Sequence, residues 1–257
     1  MKNNNNNIIS VLAVGAHPDD VEIMCAGTLA LLKEKDCKIQ IATITNGDLG
    51  SATLSKNEIA SIRKAEAAKS AKLLDADYYC LDNHDIFLTY DEPTLLKTIE
   101  LIRKTKPDVV ITQSRQDYMI DHEVTSKLVQ TACFTAAIKN IKTESEPFDK
   151  IPYLYYMDAL EGKDIYGVKI EPSMIADISE TIEMKEEMLK CHDSQRSWLM
   201  LHNGIDEYVH SMKNFSAMRG KQIGKRYGEG FRQHLGSAYP QNNILKNILI
   251  NKIVELN

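Results

Sequence analysis

Residues 8–20 read Ile8-Ile9-Ser10-Val11-Leu12-Ala13-Val14-Gly15-Ala16-His17-Pro18-Asp19-Asp20. This apolar run ends abruptly in a histidine, a helix-incompatible proline and two adjacent carboxylates. Such a run suits a strand buried on both faces, as in a parallel sheet covered by helices. In open α/β sheets, ligands bind outside the carboxyl ends of the strands. A histidine and two aspartates delivered together at that edge are costly to place unless a cation or a reaction uses them.

Outward from this stretch, strand-like and helix-like segments alternate. Helical spacing over about 22–35 leads to a strand over 38–45, stopped by the turn residues Asn46-Gly47-Asp48. A helix over about 57–74, a strand over 77–81, a helix over 95–104, a strand over 107–112 and a helix over about 124–138 follow. This order predicts an α/β, Rossmann-like fold: a mainly parallel sheet with right-handed crossovers, flanked by helices, in a single domain. Residues 140–152, with Pro147 and Pro152, mark a boundary. Beyond it we expect strands over 152–156 and 174–178 and helices over 181–191 and about 205–218. The glycines between Gly220 and Gly236 suggest an irregular stretch. The domain is expected to span 8–240, after a disordered asparagine tail at 1–7. A C-terminal helix is expected within 241–257, packed on the body or on a partner subunit of a homo-oligomer.

The bulk numbers narrow the function. A net charge of −5 over 257 residues argues against a nucleic-acid surface, which needs a concentrated basic patch. No window approaches the roughly 20 apolar residues of a membrane span. The N-terminus has no signal-peptide pattern, so the protein is expected to be cytoplasmic. Five cysteines, an odd number with no C-x-x-C spacing, favour reduced thiols over disulfides or a thiolate metal site.

His17 and Asp20 sit three residues apart across a turn that Pro18 helps to fix, and can grip one divalent cation from the same side. A matching ligand comes after the strand over 107–112, where Asp117-Tyr118-Met119-Ile120-Asp121-His122-Glu123 leads into a helix. His122 is the natural third ligand. Three protein ligands with an open fourth position make a catalytic zinc site, whose water attacks at neutral pH. Asp19 lies beside the ligands and is free to act as general base. His84, His202, His210 and His234 read more simply as surface or core residues.

Ala16 through Glu22, with Gly27-Thr28-Leu29-Ala30, resembles the opening of the PIG-L/LmbE-like deacetylases, which include N-acetylglucosaminyl-phosphatidylinositol deacetylases and those of mycothiol and bacillithiol synthesis. The likeness extends to Thr45-Asn46-Gly47-Asp48, Arg63-Lys64-Ala65-Glu66, residues 117–123 and Tyr227-Gly228-Glu229-Gly230-Phe231. It implies zinc on His17, Asp20 and His122, Asp19 as base, and a Rossmann-like fold. One position departs: many members carry His-x-Asp-His where this chain has Met119, which can neither polarise a carbonyl nor protonate an amine. Asp121 remains, to orient His122 or another imidazole. The acid or oxyanion role then passes to zinc alone, to Tyr118, or, as the first substitute, to His192, whose string His192-Asp193-Ser194-Gln195 also resembles the family; its simpler role is to cap its helix end.

Asp48, Asp85 and Arg63 fall where substrate hydroxyls or an anionic aglycone would bind, as does Tyr118. Turn chemistry for the two aspartates, and an i,i+3 pair with Glu66 for Arg63, are the plainer alternatives. The expectation is a zinc-dependent hydrolase removing the N-acetyl group from an N-acetylglucosamine-type sugar, with another divalent ion able to serve. A catalytically silent zinc- and sugar-binding protein is the alternative. A magnesium-dependent phosphoacceptor module fits poorly, because it has little use for two imidazoles.

Overall fold

A computed structural model describes residues 8–196 and 207–256. The expected tail at 1–7, His202 and the first residues of the helix expected from 205 lie outside the described residues. One eight-stranded sheet runs in the order β3-β2-β1-β4-β5-β7-β6-β8. The strands are β1 (Ser10–Gly15), β2 (Lys38–Thr45), β3 (Asp77–Asn83), β4 (Val109–Thr112), β5 (Tyr153–Met157), β6 (Met174–Asp177), β7 (Gly228–Gln233) and β8 (Ile253–Glu255). The first five pair in parallel, as the alternation predicts. The sheet runs past the expected boundary, because β4 pairs with β5 across it.

Val11 through Val14 are wholly buried, since both faces of β1 are covered. Val11 and Ala13 pack with α2 (Ala26–Lys33) and α6 (Ile182–Lys190) on one face. Leu12 and Val14 pack with α4 (Glu92–Thr105) and α5 (Ile120–Thr135) on the other. The strand order reverses at β1, between β2 and β4, and β1 and β4 carry the predicted ligands at their carboxyl ends. Such a reversal opens a crevice for ligands. Among the described residues, no helix is long and apolar enough to cross a membrane.

Three elements differ from expectation. The helix expected over about 22–35 is broken at Cys25 into α1 (Asp20–Met24) and α2. The break gives α2 its own N-terminus, where Gly27 and Thr28 donate their backbone N–H groups to Glu229 at 3.0 and 2.7 Å. The glycine-rich stretch contains β7, antiparallel to both β5 and β6. Glycine is needed there for close approach: a Cβ on Gly230 would lie 2.2 Å from Asp158 Oδ2. The tail expected as a helix divides instead into a short α8 (Ile244–Leu249) and the edge strand β8. Among the described residues, the two remaining α-helices are α3 (Lys56–Lys72) and α7 (Glu207–Gln222).

Candidate active site

The structure brings His17, Asp20 and His122 together, with one ligand atom from each within 4.8 Å of the others. The turn after β1 closes as His17 N donates to Asp20 Oδ2 at 2.7 Å. Gln113, just beyond β4, donates to the same oxygen at 2.6 Å. His122 enters in the first turn of α5, its Nε2 3.4 Å from Asp20 Oδ1. His17 Nδ1 lies 3.5 Å from Asp20 Oδ2.

The outer nitrogens of both imidazoles are already held. His17 Nε2 donates to Asp121 Oδ2 at 3.0 Å, and His122 Nδ1 to Asp117 Oδ1 at 2.9 Å. Carboxylates behind metal-binding imidazoles fix their tautomer and orientation. Asp121 therefore orients the more distant imidazole, His17, across two loops, and Asp117 orients His122. Burial alone would depress both histidines. The hydrogen bonds of Asp121 and Asp20 instead lift His17 to about 9. The charge of Asp20, with its hydrogen bond and that of Asp117, lifts His122 to about 10. Three carboxylates around two imidazoles leave the pocket short of positive charge. With two inward nitrogens and a carboxylate oxygen converging, the donor set fits zinc or a similar divalent ion.

Asp19 has φ 120°, a backbone conformation that L side chains rarely adopt and one met at functional sites. Its Oδ2 accepts from the Tyr208 hydroxyl at 2.5 Å and from Arg63 Nη2 at 3.3 Å. Burial raises its pKa and the Arg63 charge opposes the rise. Arg63 also donates to Pro18 O at 2.6 Å, so it clamps the turn that carries the base. The alternative pairing with Glu66 is not made, because Glu66 accepts from Ser194 N and Oγ.

A cavity of about 770 Å³ opens over this cluster, lined by His17, Asp19, Asp20, His122, Arg63 and Asp85 among others. Tyr118 lines it too, with its ring edge-on to His122 at 5.7 Å. Burial, then Asp20 and Asp117, push the Tyr118 hydroxyl up to about 12, so it stays a donor at neutral pH. Met119 is also in the wall. Ile86 has φ +66°, unusual for a β-branched residue. Its N–H donates to Asp121 Oδ2 at 2.7 Å, which holds the loop after β3 against the cluster.

Three predicted residues lie outside the cavity wall: Asp121, which holds His17 from behind, His192 and Asp48. His192 is fully buried, 3.3 Å from Glu22 Oε1, with both ring nitrogens lacking a hydrogen bond of good geometry. Asp48 turns inward: its Oδ1 accepts from Asp85 N at 3.0 Å and its Oδ2 lies 2.6 Å from His84 Nδ1. Asp85 lines the cavity but gives its oxygens to the N–H groups of Gly47 and Leu49. The two aspartates thus tie the loop after β2 to the loop after β3, and Asp85 Oδ2 also lies 3.9 Å from Arg63 Nη1. Sequence reasoning gave no role to Gln113, Asp117 or Tyr208. A signal existed for Asp117, which accepts from Met119 N in a short turn before α5; Tyr208 reaches Asp19 only through the tertiary fold.

Residues 12–133 match the pattern of the PIG-L family, described as GlcNAc-PI de-N-acetylase. The chain carries a PIG-L family domain. Its matched region holds every candidate metal ligand, while Tyr208 lies beyond it. The diacetylchitobiose deacetylase of Thermococcus kodakarensis is 25% identical over 237 residues, covering 88% of this chain and 84% of that protein. The 4-oxalmesaconate hydratase of Pseudomonas putida is 24% identical and covers 90% of each chain. Among solved structures, the N,N'-diacetylchitobiose deacetylase of Pyrococcus horikoshii has TM-score 0.77 at 24% identity, covering 93% of this chain and 90% of that one. The PIG-L domain thus sits on an α/β fold shared by proteins named for two different reactions.

Proposed function

We propose that this protein is a metal-dependent N-deacetylase that hydrolyses the acetamido group of an N-acetylglucosamine-type sugar or glycoconjugate. The carrying observation is the convergence of His17, Asp20 and His122 with their outer sides held and Asp19 beside them. The deacetylase relative supports the choice of reaction. Zinc bound by these three residues would polarise the amide carbonyl and acidify the attacking water. Asp19 accepts that water's proton, and its carboxylate is aimed by Arg63 and Tyr208. As the C–N bond breaks, the proton passes from Asp19 to the departing amine, leaving acetate and a free amino sugar. Tyr118, in the wall beside His122, donates to the developing oxyanion. It takes the place of the family imidazole absent at Met119; His192 supports Glu22 from behind the site. The five free thiols accord with a reducing, cytoplasmic setting.

A second reading, addition of water to a carbon–carbon double bond, is favoured by the full-length likeness to the hydratase. The catalytically silent alternative gains no support from these relatives. Acetate release from a panel of N-acetylglucosaminides, with metal content measured on the same sample, tests the proposal. Asp19→Asn is expected to keep the metal and lose about 10²–10⁴-fold in turnover, whereas His17→Ala loses the metal. Near-normal turnover by Asp19→Asn would overturn the assignment of the base.

A further inference from the structure

At the same edge of the sheet, one just after the cavity-lining Gln113 in the chain and the other in β7, two arginines without a paired carboxylate among the described residues, Arg115 and Arg232, both bear on Tyr156. Tyr156 in β5 and Arg232 in β7 are directly opposed across the antiparallel pair, so their side chains share a face. Arg232 Nη2 donates to Ser114 Oγ at 3.0 Å, the one hydrogen bond its guanidinium makes among the described residues. Arg115, adjacent in sequence to Ser114, is exposed. Neither guanidinium has a carboxylate within pairing distance among the described residues, although the chain carries more carboxylates than cations. The other arginines with described contacts are occupied. Arg63 pairs with Asp19, Arg219 with Asp158, Arg103 donates to three backbone carbonyls, and Arg226 lies over Tyr227. Asp158 shares the face of Arg232, but Arg219 holds both its oxygens, at 2.7 and 3.2 Å.

A half-buried guanidinium held by one hydroxyl is an uncompensated charge, which proteins seldom keep without a partner. Its remaining donors suit the two oxygens of a carboxylate or phosphate. The pKa of Arg232 points the same way, since burial lowers it against the pull of Asp158. The position links it to the reaction centre: Ser114 follows Gln113, which lines the cavity and donates to Asp20.

We propose that Arg232 and Arg115 form a binding site for a carboxylate or phosphate group, placed to receive an anionic substituent of the substrate. The role of that substituent rests on the deacetylase reading; the anion site itself does not. The test is calorimetric titration of the metal-loaded protein with inorganic phosphate, in wild type, Arg232→Gln, Arg232→Lys and Arg115→Gln, with metal content measured in each. We expect saturable binding that weakens at least tenfold in Arg232→Gln and severalfold in Arg115→Gln, partly recovers in Arg232→Lys, and falls with added salt. Phosphate affinity unchanged in both glutamine variants overturns the site. Arg115 is exposed, so its variant decides the matter even if Arg232→Gln does not fold.

A kinetic arm separates a substrate-borne anion from a free one. N-acetylglucosamine is compared with its 1-phosphate and 6-phosphate by acetate release. A tenfold or greater preference for one phosphorylated sugar, lost in Arg232→Gln, supports a substituent site. Arginine-dependent phosphate binding without such a preference leaves a site for a free anion and overturns the substituent role. Arginine-dependent binding with no acetate released from any sugar counts against the deacetylase reading while the anion site stands.

Discussion

Asp20, after β1, and Glu229, in β7, are both buried carboxylates, and each is surrounded by donors. Glu229 is closed off. It accepts from Gly27 N, Thr28 N, Thr28 Oγ1 and Lys185 Nζ, the last at 2.6 Å. Its negative charge is matched by one buried ammonium and by the positive end of α2. Asp20 is left open. Two donors hold Oδ2, while Oδ1 faces His122 Nε2 at 3.4 Å in a pocket with further carboxylates behind each imidazole. A buried charge whose partners are complete does structural work, whereas one whose partners are incomplete awaits a ligand. By that criterion, β7 and α6 brace the sheet and the β1–β4 crevice is the place for the proposed chemistry.

Substitution at the two carboxylates gives the sharpest way to break this division. Glu229→Ala strands Lys185 in the interior, and removing one partner of a buried pair costs about 3–5 kcal/mol. The expected result is a large fall in Tm, with the metal content of the remaining folded protein unchanged. Asp20→Ala is expected to abolish metal retention and acetate release, and to lower the Tm of the metal-free chain less than Glu229→Ala does. Thermal melts and elemental analysis on the same preparations check both. If Glu229→Ala lost metal at full stability, the division would be wrong.

The two regions were not equally legible in the sequence. The first five strands are locally coded by apolar runs and turn residues, and the ligand pair His17 and Asp20 lies within a single turn. His122 could be matched to them because a parallel sheet puts the ends of β1 and β4 on one edge. Little of β7 is coded locally, since Gly228 and Gly230 serve close backbone approach and read as irregularity. The break at Cys25 depends on a carboxylate some two hundred residues away. Arg63 and Tyr208 meet at Asp19 only when α3 and α7 dock, and no spacing rule announces that. His192 looked catalytic because its neighbours in sequence resemble a family string, yet it packs behind the site against Glu22.

Removing the metal sharpens the contrast through pH. In the metal-free protein the His17 and His122 pKa values stand at about 9 and about 10, above the ordinary 6.5. Their protonated forms would take the place of the proposed cation. The stability they contribute is fully present below pH 6.5 and is lost as pH rises through 9 and 10. Metal binding requires the neutral imidazoles, so metal affinity rises over the same interval. Melts of stripped protein from pH 6 to 10 are expected to show Tm falling through the upper half of that range. Metal-loaded protein should lack this decline. A flat profile for the stripped protein would mean that the carboxylates around the imidazoles do not set their charge.

The finest distinction lies inside the crevice, between the carboxylates behind the two imidazoles. Asp117 and His122 belong to one loop and its helix, so their bond is local. Asp121 Oδ2 serves His17 from the loop after β1 and Ile86 N from the loop after β3 at once. Loss of a group that orients a metal-binding imidazole typically costs about 10–100-fold in metal affinity. Asp121→Ala removes both tethers and frees Ile86 from a conformation that a β-branched residue otherwise avoids, so it belongs near the upper end. Asp117→Ala belongs near the lower end, because α5 still carries His122 into place. Asp121→Asn keeps one oxygen acceptor and loses the charge, which puts it between them. Competitive chelator titrations give the three affinities. The reverse order would show that the local partner, and not the bridge between loops, sets the geometry of the site.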